Sequence, residues 1–195
     1  MAKALEQMTL EELWQLFPIA LVPHNPQWKV WYRQQRDEIL TYLPKEWKCS
    51  ISHIGSTAVP DIWAKNIVDI LLEIERPECL PELRDILHSH GWLCMSQCET
   101  RISMNLGYTP EGFAQKVFHL HLRQHGDHDE LYFRDYLRNH PETAKEYQTL
   151  KLRLWKEYEH DRDSYTLAKS DFVRQYTALA KREFPNRYER MNIQR

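Results

Sequence analysis

The sequence predicts an α+β fold: a mixed β-sheet of about five strands with helices on one face, followed by a helical C-terminal third. Two patterns in the 195-residue chain lead to this fold class. Short apolar or alternating segments bounded by turn residues occupy the first two thirds, and longer segments with apolar residues at helical spacing occupy the last third. A composition of 42% hydrophobic and 12% aromatic residues suits one well-packed core. We therefore expect a single domain.

Residues 1–20 are predicted to form a helical appendage. Thr9-Leu10-Glu11-Glu12 fits a capping box, in which Thr9 caps backbone N–H groups and Glu12 reaches back to the start of the helix. Asn25-Pro26 then predicts the start of a longer helix, since proline is favoured at the first helical position. Residues at helical spacing on its core-facing side are Trp28, Trp31, Tyr32, Gln35 and Ile39.

The strands are predicted from apolar runs and from the turns between them. Residues 47–54 form the first, and residues 66–74 form a near-continuous apolar strand interrupted by Asp69. Residues 80–90 are predicted to be helical, with Gly91 as the C-terminal cap. The remaining strands are predicted over residues 92–96, 101–108 and 116–123.

The last third is predicted to be helical over residues 129–139, 141–160 and 164–184. The third segment has an apolar stripe typical of core packing, made of Tyr165, Ala168, Phe172, Val173, Tyr176, Leu179 and Ala180. We expect the domain to span residues 21–185 and a frayed basic tail to occupy residues 186–195. The arginines that make this end of the chain basic are Arg182, just before the tail, and Arg187, Arg190 and Arg195 within it.

Charge and cysteine content restrict the partners and the compartment. A formal charge of -2 and a pI near 6.6 disfavour general attraction to nucleic acid or to a membrane surface, so any phosphate-binding patch is expected to be local. The four cysteines form no CxxC pair and are expected to be reduced thiols. The N-terminus has acidic residues where a signal peptide needs a basic start, and no apolar run reaches membrane-spanning length. We expect a cytoplasmic protein.

A Gly55-Ser56 turn and Asp69 are the first candidate site. Gly55 follows a predicted strand and precedes two hydroxyl residues, Ser56 and Thr57, and such a turn can direct backbone N–H groups at an anion. A strand carboxylate beside a phosphate-binding turn suits a divalent metal, which binds carboxylate and phosphate oxygens together. The alternatives are a plain turn, and an Asp69 that pairs with Lys65.

The segment as a whole resembles the GrpB family, which is placed in the DNA polymerase β-like nucleotidyltransferase superfamily. The first motifs that carry the resemblance are Gly55-Ser56-Thr57-Ala58-Val59-Pro60, Ala64-Lys65 and Val68-Asp69-Ile70. It continues through Phe118-His119-Leu120-His121-Leu122, Phe133-Arg134-Asp135-Tyr136-Leu137-Arg138, Glu146-Tyr147 with Lys151, and the stretch from Tyr165 to Val173. The resemblance implies a nucleotidyltransferase-like core over residues 21–185, with nucleotide phosphates on the Gly-Ser loop and a metal on strand carboxylates.

The chain departs from the superfamily pattern at the second acidic position. That pattern has two acidic residues alternating on the strand, and here the second is Leu71. Glu73 shares the face of Asp69 but lies two residues beyond Leu71, which is about 7 Å further along an extended strand. It is therefore an imperfect substitute for the second acidic residue. Glu73 is nevertheless a candidate metal ligand. The departure argues against a two-metal mechanism.

His119 and His121 alternate on one predicted strand and therefore share a face. The resemblance implies that they lie near Asp69 and complete a catalytic and metal-binding group with it. Imidazole with carboxylate favours Mn²⁺, Zn²⁺ or Fe²⁺ over Mg²⁺. The alternative is ordinary polar alternation on an exposed sheet face. His125 and His128 fall in a polar loop and are expected in solvent.

Three cations are candidate phosphate ligands: Lys65, Arg134 and Lys169. Arg134 suits a terminal phosphate because guanidinium offers a bidentate fork, whereas the lysines suit bridging oxygens. The alternative for Arg134 is a helix-surface ion pair with Asp135, which would contribute little.

These observations predict a divergent nucleotidyltransferase-like protein that binds a nucleoside triphosphate or another phosphorylated small molecule. A divalent metal, Mg²⁺ or Mn²⁺ with Zn²⁺ as the alternative, is the expected cofactor. Transfer to phosphorus would depend on positioning and charge neutralisation. Two other functions stay open: a non-catalytic nucleotide- or metabolite-binding module, as Leu71 suggests, and a metal-dependent phosphohydrolase that uses Asp69, His119 and His121.

Overall fold

The computed structural model describes residues 3–189 and has one five-stranded sheet in the order β1-β2-β5-β4-β3. Strands β2 and β5 pair in parallel, and the other neighbours pair antiparallel. The strands are β1 (Cys49–Ile54), β2 (Val68–Ile74), β3 (Leu93–Gln97), β4 (Arg101–Thr109) and β5 (Gly112–Gln124). The sheet is thus mixed, with its single parallel pair in the interior, and the predicted α+β class is confirmed.

The helices lie at both ends of the chain and once within the sheet region. They are α1 (Leu10–Leu16), α2 (Gln27–Tyr42), α3 (Leu80–Ser89), α4 (Asp129–Asn139), α5 (Pro141–Glu157), α6 (Arg162–Leu167) and α7 (Ser170–Glu183). The capping box at Thr9 forms with both of its reciprocal hydrogen bonds. Asn25 caps the start of α2, because its Oδ1 accepts from the N–H of Gln27 at 2.9 Å.

The predicted helix over residues 164–184 is wrong as a single element, because the chain forms α6 and α7 with a break at Ala168 and Lys169. No glycine or proline lies at the break. The apolar spacing alone therefore predicted one continuous helix. Across the break, the ammonium of Lys169 lies 4.0 Å from the centre of the Tyr165 ring.

One face of the sheet carries the main apolar core. Val68, Ile70 and Leu72 of β2 are fully buried on this face. Helices α2 and α3 cover it, and Trp28, in the first turn of α2, is 0% exposed within this core. The indole N–H of Trp28 donates to Asn66 Oδ1 at 2.7 Å, which ties α2 to the segment that leads into β2.

The opposite face of the sheet is polar along its centre. The parallel register sets Asp69 beside His119 and Glu73 beside Arg123. Leu71 lies between the two carboxylates and packs with Ile54 and with Leu131 of α4. Helices α4, α5 and α7 approach the β1–β2 half of this face and build a second apolar cluster from Val59, Ile62, Leu137, Ala144 and Tyr147, with Phe172 and Val173 against it. The prediction of helices on one face is therefore wrong, because each face of the sheet has apolar residues that helices cover.

The chain after α7 turns back onto α4. Arg187 Nε lies 3.1 Å from Asp135 Oδ2, and the Tyr188 hydroxyl donates to the same carboxylate. The expectation of a frayed tail is therefore wrong for its first part, because a buried carboxylate holds it. Arg190 and Arg195 lie outside the described residues. Among residues 3–189, no helix is long and apolar enough to cross a membrane.

We expect Ile70→Ala to destabilise the protein by about 2–5 kcal/mol, because it leaves a cavity at the centre of the sheet, where Ile70 is 0% exposed. Leu167→Ala is the matched control, since Leu167 is 75% exposed and its loss should change stability by less than about 0.5 kcal/mol. Urea unfolding of the two variants measures the difference. Equal losses would contradict the described core.

Candidate functional site

The Gly55 turn brings the end of β1 directly onto Asp69. Gly55 has φ 69°, and the three residues after it form a single 3₁₀ turn, Ser56–Ala58. A Cβ at Gly55 would lie 2.9 Å from Asp69 Cγ and closer still to Oδ2. Glycine is required here for two reasons: the left-handed backbone conformation and the close approach of the carboxylate.

A buried histidine supports the turn from below. His53 Nε2 lies 3.0 Å from Thr57 Oγ1, and its ring stacks on Tyr32 with centroids 4.8 Å apart. Burial lowers the pKa of His53 to about 4, so the ring is neutral at physiological pH. Thr57 is thereby held in the core, where it braces the turn.

Asp69 forms its ion-pair contacts with the two predicted histidines. Its Oδ1 lies 3.2 Å from His119 Nδ1 and 3.7 Å from His121 Nε2, and its side chain is 27% exposed. The alternative pairing with Lys65 is therefore not the arrangement that Asp69 adopts. Burial favours the neutral acid, but the neighbouring imidazoles of His119 and His121 outweigh it and hold the pKa of Asp69 below its ordinary value.

The two histidines differ in what their far sides contact. His119 Nε2 lies 2.8 Å from the Tyr108 hydroxyl, which in turn accepts from Arg162 at 3.0 Å. His119 is thus held between Asp69 and Tyr108, and burial lowers its pKa although Asp69 opposes this. His121 instead lines the main pocket.

Three lysines surround the turn from the helical side. The Lys151 ammonium donates to Ser56 Oγ at 3.0 Å and to the carbonyl of Trp63. The ammonium groups of Lys65 and Lys169 lie 5.8 Å and 4.0 Å from the centre of the Tyr165 ring. Lys65, Lys151, Lys169 and Tyr165 therefore form one wall above Ser56.

Burial and mutual repulsion lower the pKa values of these lysines. The pKa of Lys65 falls to about 8 through burial and the charge of Arg162. Those of Lys151 and Lys169 fall to about 7 through burial and the charges of the neighbouring lysines. Asp69 offsets the repulsion only in part. The wall thus concentrates positive charge that an anion would neutralise.

These groups enclose a pocket of about 360 Å³, within the range of small-molecule sites. The predicted residues that line it are Gly55, Ser56, Thr57, Lys65, Asp69, His121, Arg134 and Lys169. His119 contacts Asp69 from the side away from this pocket, and it lines a separate cleft together with Tyr108 and Arg162. All but one of the predicted residues near the turn therefore converge on one pocket, and their roles in binding stay predictions.

Arg134 lines the pocket wall but already has several hydrogen-bond acceptors. Its guanidinium donates to the His53 carbonyl at 2.8 Å, to Asp135 at 2.7 Å and to the Tyr188 hydroxyl at 3.1 Å. Arg134 therefore fixes α4 against β1 and the C-terminal segment. Because its donors are already used, Arg134 is a weaker candidate for phosphate binding than the three lysines.

Lys151 is the site residue that the sequence reasoning did not select, although it lies within a family-like motif. The signal was its position on α5, because Ala144, Tyr147, Lys151 and Leu154 share the buried face of that helix. A lysine on an apolar stripe, here 2% exposed, is rarely without a function or a partner.

Glu73 lies apart from Asp69 and belongs to a second cluster. Its carboxylate accepts from Ser50 Oγ at 3.0 Å and from the N–H of Gly126 at 3.1 Å. His128 Nδ1 lies 2.8 Å from Glu73 Oε1, and His125 Nδ1 lies 3.3 Å from the same oxygen. The expectation that both histidines lie in solvent is wrong, because the buried carboxylate draws the loop inward and leaves His128 only 7% exposed.

The Asp69 group contains donors of the kinds that bind a divalent cation, and metal binding there stays a prediction. Among residues 3–189, the group of three potential ligands whose atoms all lie within 4.8 Å of one another is Glu73, His125 and His128. Asp69 with its two histidines is more open than that. It offers a partly exposed carboxylate beside the imidazole of His121, a donor set that suits Mn²⁺ or Zn²⁺ better than Mg²⁺.

A family model described as GrpB protein matches residues 18–179. The chain belongs to the GrpB family. Glutamate-rich protein GrpB of Alkalihalophilus pseudofirmus is 31% identical over 160 residues, which are 80% of this chain and 91% of that protein. UPF0157 protein YqkA of Bacillus subtilis is 28% identical over 183 residues, which are 90% of this chain and 52% of that protein. This GrpB domain thus spans about half the length of the Bacillus subtilis relative.

A solved GrpB structure has the same fold. The crystal structure of the conserved protein GrpB from Enterococcus faecalis matches with a TM-score of 0.73 and 27% identity, over 85% of this chain and 99% of that one. A weaker likeness, to the Cid1 poly(U) polymerase, has a TM-score of 0.47 and 10% identity over 76% of this chain and 46% of that one, and no conclusion rests on it. The GrpB family assignment therefore rests on both sequence and fold.

We expect Gly55→Ala to displace the Asp69 carboxylate, because the added Cβ would collide with it. The variant also places alanine at positive φ, which costs about 1–2 kcal/mol by itself. Gly91→Ala isolates that cost, since Gly91 has φ 86° and its Cβ would meet nothing closer than 3.9 Å. Thermal unfolding should show a clearly larger loss for Gly55→Ala. A loss no larger than that of Gly91→Ala would show that Asp69 moves aside freely.

Proposed function

We propose that this GrpB protein binds the phosphate groups of a nucleotide, or of another phosphorylated small molecule, between the Gly55-Ser56 turn and the lysines above it. The observation that carries the proposal is the lysine wall. Lys65, Lys151 and Lys169 lie around one pocket, and the pKa of each is lowered. Asp69 is the carboxylate that offsets their charge in part, and it already contacts two histidines. Such a cluster is stabilised by a polyanion.

The turn is suited to receive that anion. Ser56 Oγ is held by Lys151 at the opening of the 3₁₀ turn, so a hydroxyl and an ammonium point at the same space. Tyr147 also bonds to Ser56, and burial raises the pKa of Tyr147 above its ordinary value, which keeps its hydroxyl as a neutral donor or acceptor. In the proposed complex, Gly55 and Ser56 bind the β- and γ-phosphates, and the lysines contact their oxygens.

Asp69 and His121 are the residues that would hold a divalent cation against the phosphates. A bound cation would neutralise phosphate charge and orient the phosphoryl groups. The reaction that this arrangement serves is nucleotidyl transfer. An acceptor hydroxyl attacks the α-phosphorus, the bond to the β-phosphate oxygen breaks, and pyrophosphate leaves as the acceptor loses its proton.

A non-catalytic binding module is the second candidate, and Leu71 is the observation that favours it. Leu71 is 0% exposed at the position where the superfamily pattern has a second carboxylate. A single carboxylate weakens transfer chemistry while leaving the phosphate-binding wall intact. Both candidates share the pocket and differ in the role of Asp69.

We expect a nucleoside triphosphate with Mn²⁺ to raise the melting temperature. At a ligand concentration of 100 Kd the stabilisation is about 2.7 kcal/mol, or roughly 5–11 °C for a domain of this size. Differential scanning fluorimetry with ATP, GTP, CTP and UTP measures it. Lys151→Met should abolish the shift, whereas Lys145→Met, an exposed lysine on the same helix, should keep it. A full shift in Lys151→Met would contradict the proposed pocket.

The melting temperature of Lys151→Met without ligand is measured first, so that loss of binding is told apart from unfolding. The substitution removes the desolvation cost of a buried ammonium but also the hydrogen bonds to Ser56 Oγ and to the Trp63 carbonyl.

The lysines give the binding a defined pH dependence. Their pKa values of about 7 to 8 in the free protein rise when a phosphate binds, so binding takes up protons. Affinity should be highest near or below pH 7 and should fall above it, by up to about tenfold per pH unit for each lysine that must be protonated. Calorimetric titration with ATP and Mg²⁺ between about pH 6.5 and 9 measures this. An affinity that stays flat or rises would contradict the role of the lysines.

Asp69→Asn distinguishes the two candidate functions. The substitution keeps the shape and removes the charge that a cation needs. If Asp69 holds the metal, nucleotide binding to the variant should no longer strengthen when Mn²⁺ is added. In a metal-free binding module, the wild type and the variant should bind with similar affinity, and Mn²⁺ should affect neither.

A further inference from the structure

A second polar cluster lies on the same sheet face as the pocket, at the far end of β2. Glu73 is four residues beyond Asp69, or about 13 Å along an extended strand. Its neighbours are His125 and His128, from the turn that links β5 to α4. The phosphate pocket does not use these side chains. The cluster therefore needs its own explanation.

The spacing of the three ligand atoms suits a small metal ion. Two His Nδ1 atoms lie 2.8 Å and 3.3 Å from Glu73 Oε1, and all three ligand atoms lie within 4.8 Å of one another. Ligands bound at about 2.0–2.1 Å in a tetrahedral site are separated by roughly 3.4 Å. The cluster is thus close to the size that zinc requires, with little rearrangement of the backbone.

His125 supplies an independent sign of a missing partner. Its Nδ1 is buried and has no hydrogen-bond partner, although Glu73 Oε1 lies 3.3 Å away. Glu73 Oε1 has its own partners in Gly126 and His128, so the buried atom left without one is His125 Nδ1, and a cation between it and the carboxylate would satisfy it. A solvated loop histidine would not show this.

The surroundings hold the ligands in place. Ser50 donates to Glu73 Oε2 and the Gly126 N–H donates to Oε1, so the carboxylate is fixed from two sides. His125 Nε2 lies 3.3 Å from the carbonyl of Glu189, and the His128 ring packs 5.6 Å from that of Tyr188. Outer partners that orient histidine rings in this way are typical of metal sites.

We propose that Glu73, His125 and His128 form a binding site for one divalent transition metal, with Zn²⁺ the ion that the donor set fits best. One carboxylate and two imidazoles are the ligands that Zn²⁺ takes when it keeps a fourth position for water. The ion links β2 to the turn before α4 and to the start of that helix. It thereby fastens the helical layer to the sheet, independently of any ligand in the phosphate pocket.

The test uses the metal alone on the full chain, purified with chelator and then freed of it. Addition of Zn²⁺ should give one bound ion that resists dialysis, measured by elemental analysis, and a rise in melting temperature. Mg²⁺ should give neither, because it prefers oxygen ligands. Absence of tight zinc binding by the wild type would overturn the proposal.

Variants identify the site. His125→Ala and Glu73→Gln should each weaken zinc binding by at least about tenfold. His125 is the more exposed ligand, so its variant keeps the test valid if Glu73→Gln fails to fold. His140→Ala is the matched control, since His140 pairs with Glu183 at 2.8 Å outside the cluster, and it should bind zinc normally.

Asp69→Asn separates this proposal from the proposed function. Zinc binding that survives Asp69→Asn and is lost in His125→Ala supports the second site. Zinc binding that is lost in Asp69→Asn and kept in His125→Ala overturns it and assigns the metal to the phosphate pocket. A nucleotide response can fail without affecting either zinc result.

Discussion

The parallel pairing of β2 with β5 is the interaction on which the rest of the structure depends. Its register sets Asp69 beside His119 and Leu71 beside His121, so one face of two adjacent strands collects carboxylates and imidazoles while the other face is fully apolar. A shift of one residue would exchange these faces, placing Asp69 in the core. The hydrophobic core on one side therefore specifies the polar group on the other.

The site is built at a cost to stability. Lys151 is 2% exposed, and its lowered pKa means that folding disfavours the charged form of its side chain. An apolar residue in its place would pack without that penalty. The same low-dielectric surroundings would strengthen the attraction between the lysines and the phosphates of the proposed complex. The burial that destabilises the free protein would thus stabilise that complex.

Local sequence patterns predict the sheet and the turn, and the resemblance to the GrpB family adds that His119 and His121 lie near Asp69. The Gly-Ser turn, the interrupted apolar strand and the His-x-His alternation each fall within a few residues, where strand periodicity determines the direction of each side chain. Contacts between distant segments were not predictable in this way. Lys151 reaches Ser56 across 95 positions of sequence, and His128 reaches Glu73 across 55.

The same limitation explains why His125 and His128 were misplaced. Their loop is polar, with Gly126 at its centre, and such loops are usually solvated. Nothing local indicates that a carboxylate from β2 lies beneath it. The break between α6 and α7 is also not predictable from local signals, because neither glycine nor proline marks it.

Leu71 separates the polar face of β2 into two clusters, one around Asp69 and one around Glu73. It lies between Asp69 and Glu73 on β2 and packs with Ile54 and with Leu131 of α4. Because α4 occupies the space above it, a carboxylate at position 71 would be buried against apolar side chains rather than directed into the pocket. The apolar side chain at position 71 is therefore part of how the helical layer packs on the sheet. A carboxylate there would require α4 to move, which would also disturb the turn that carries His125 and His128.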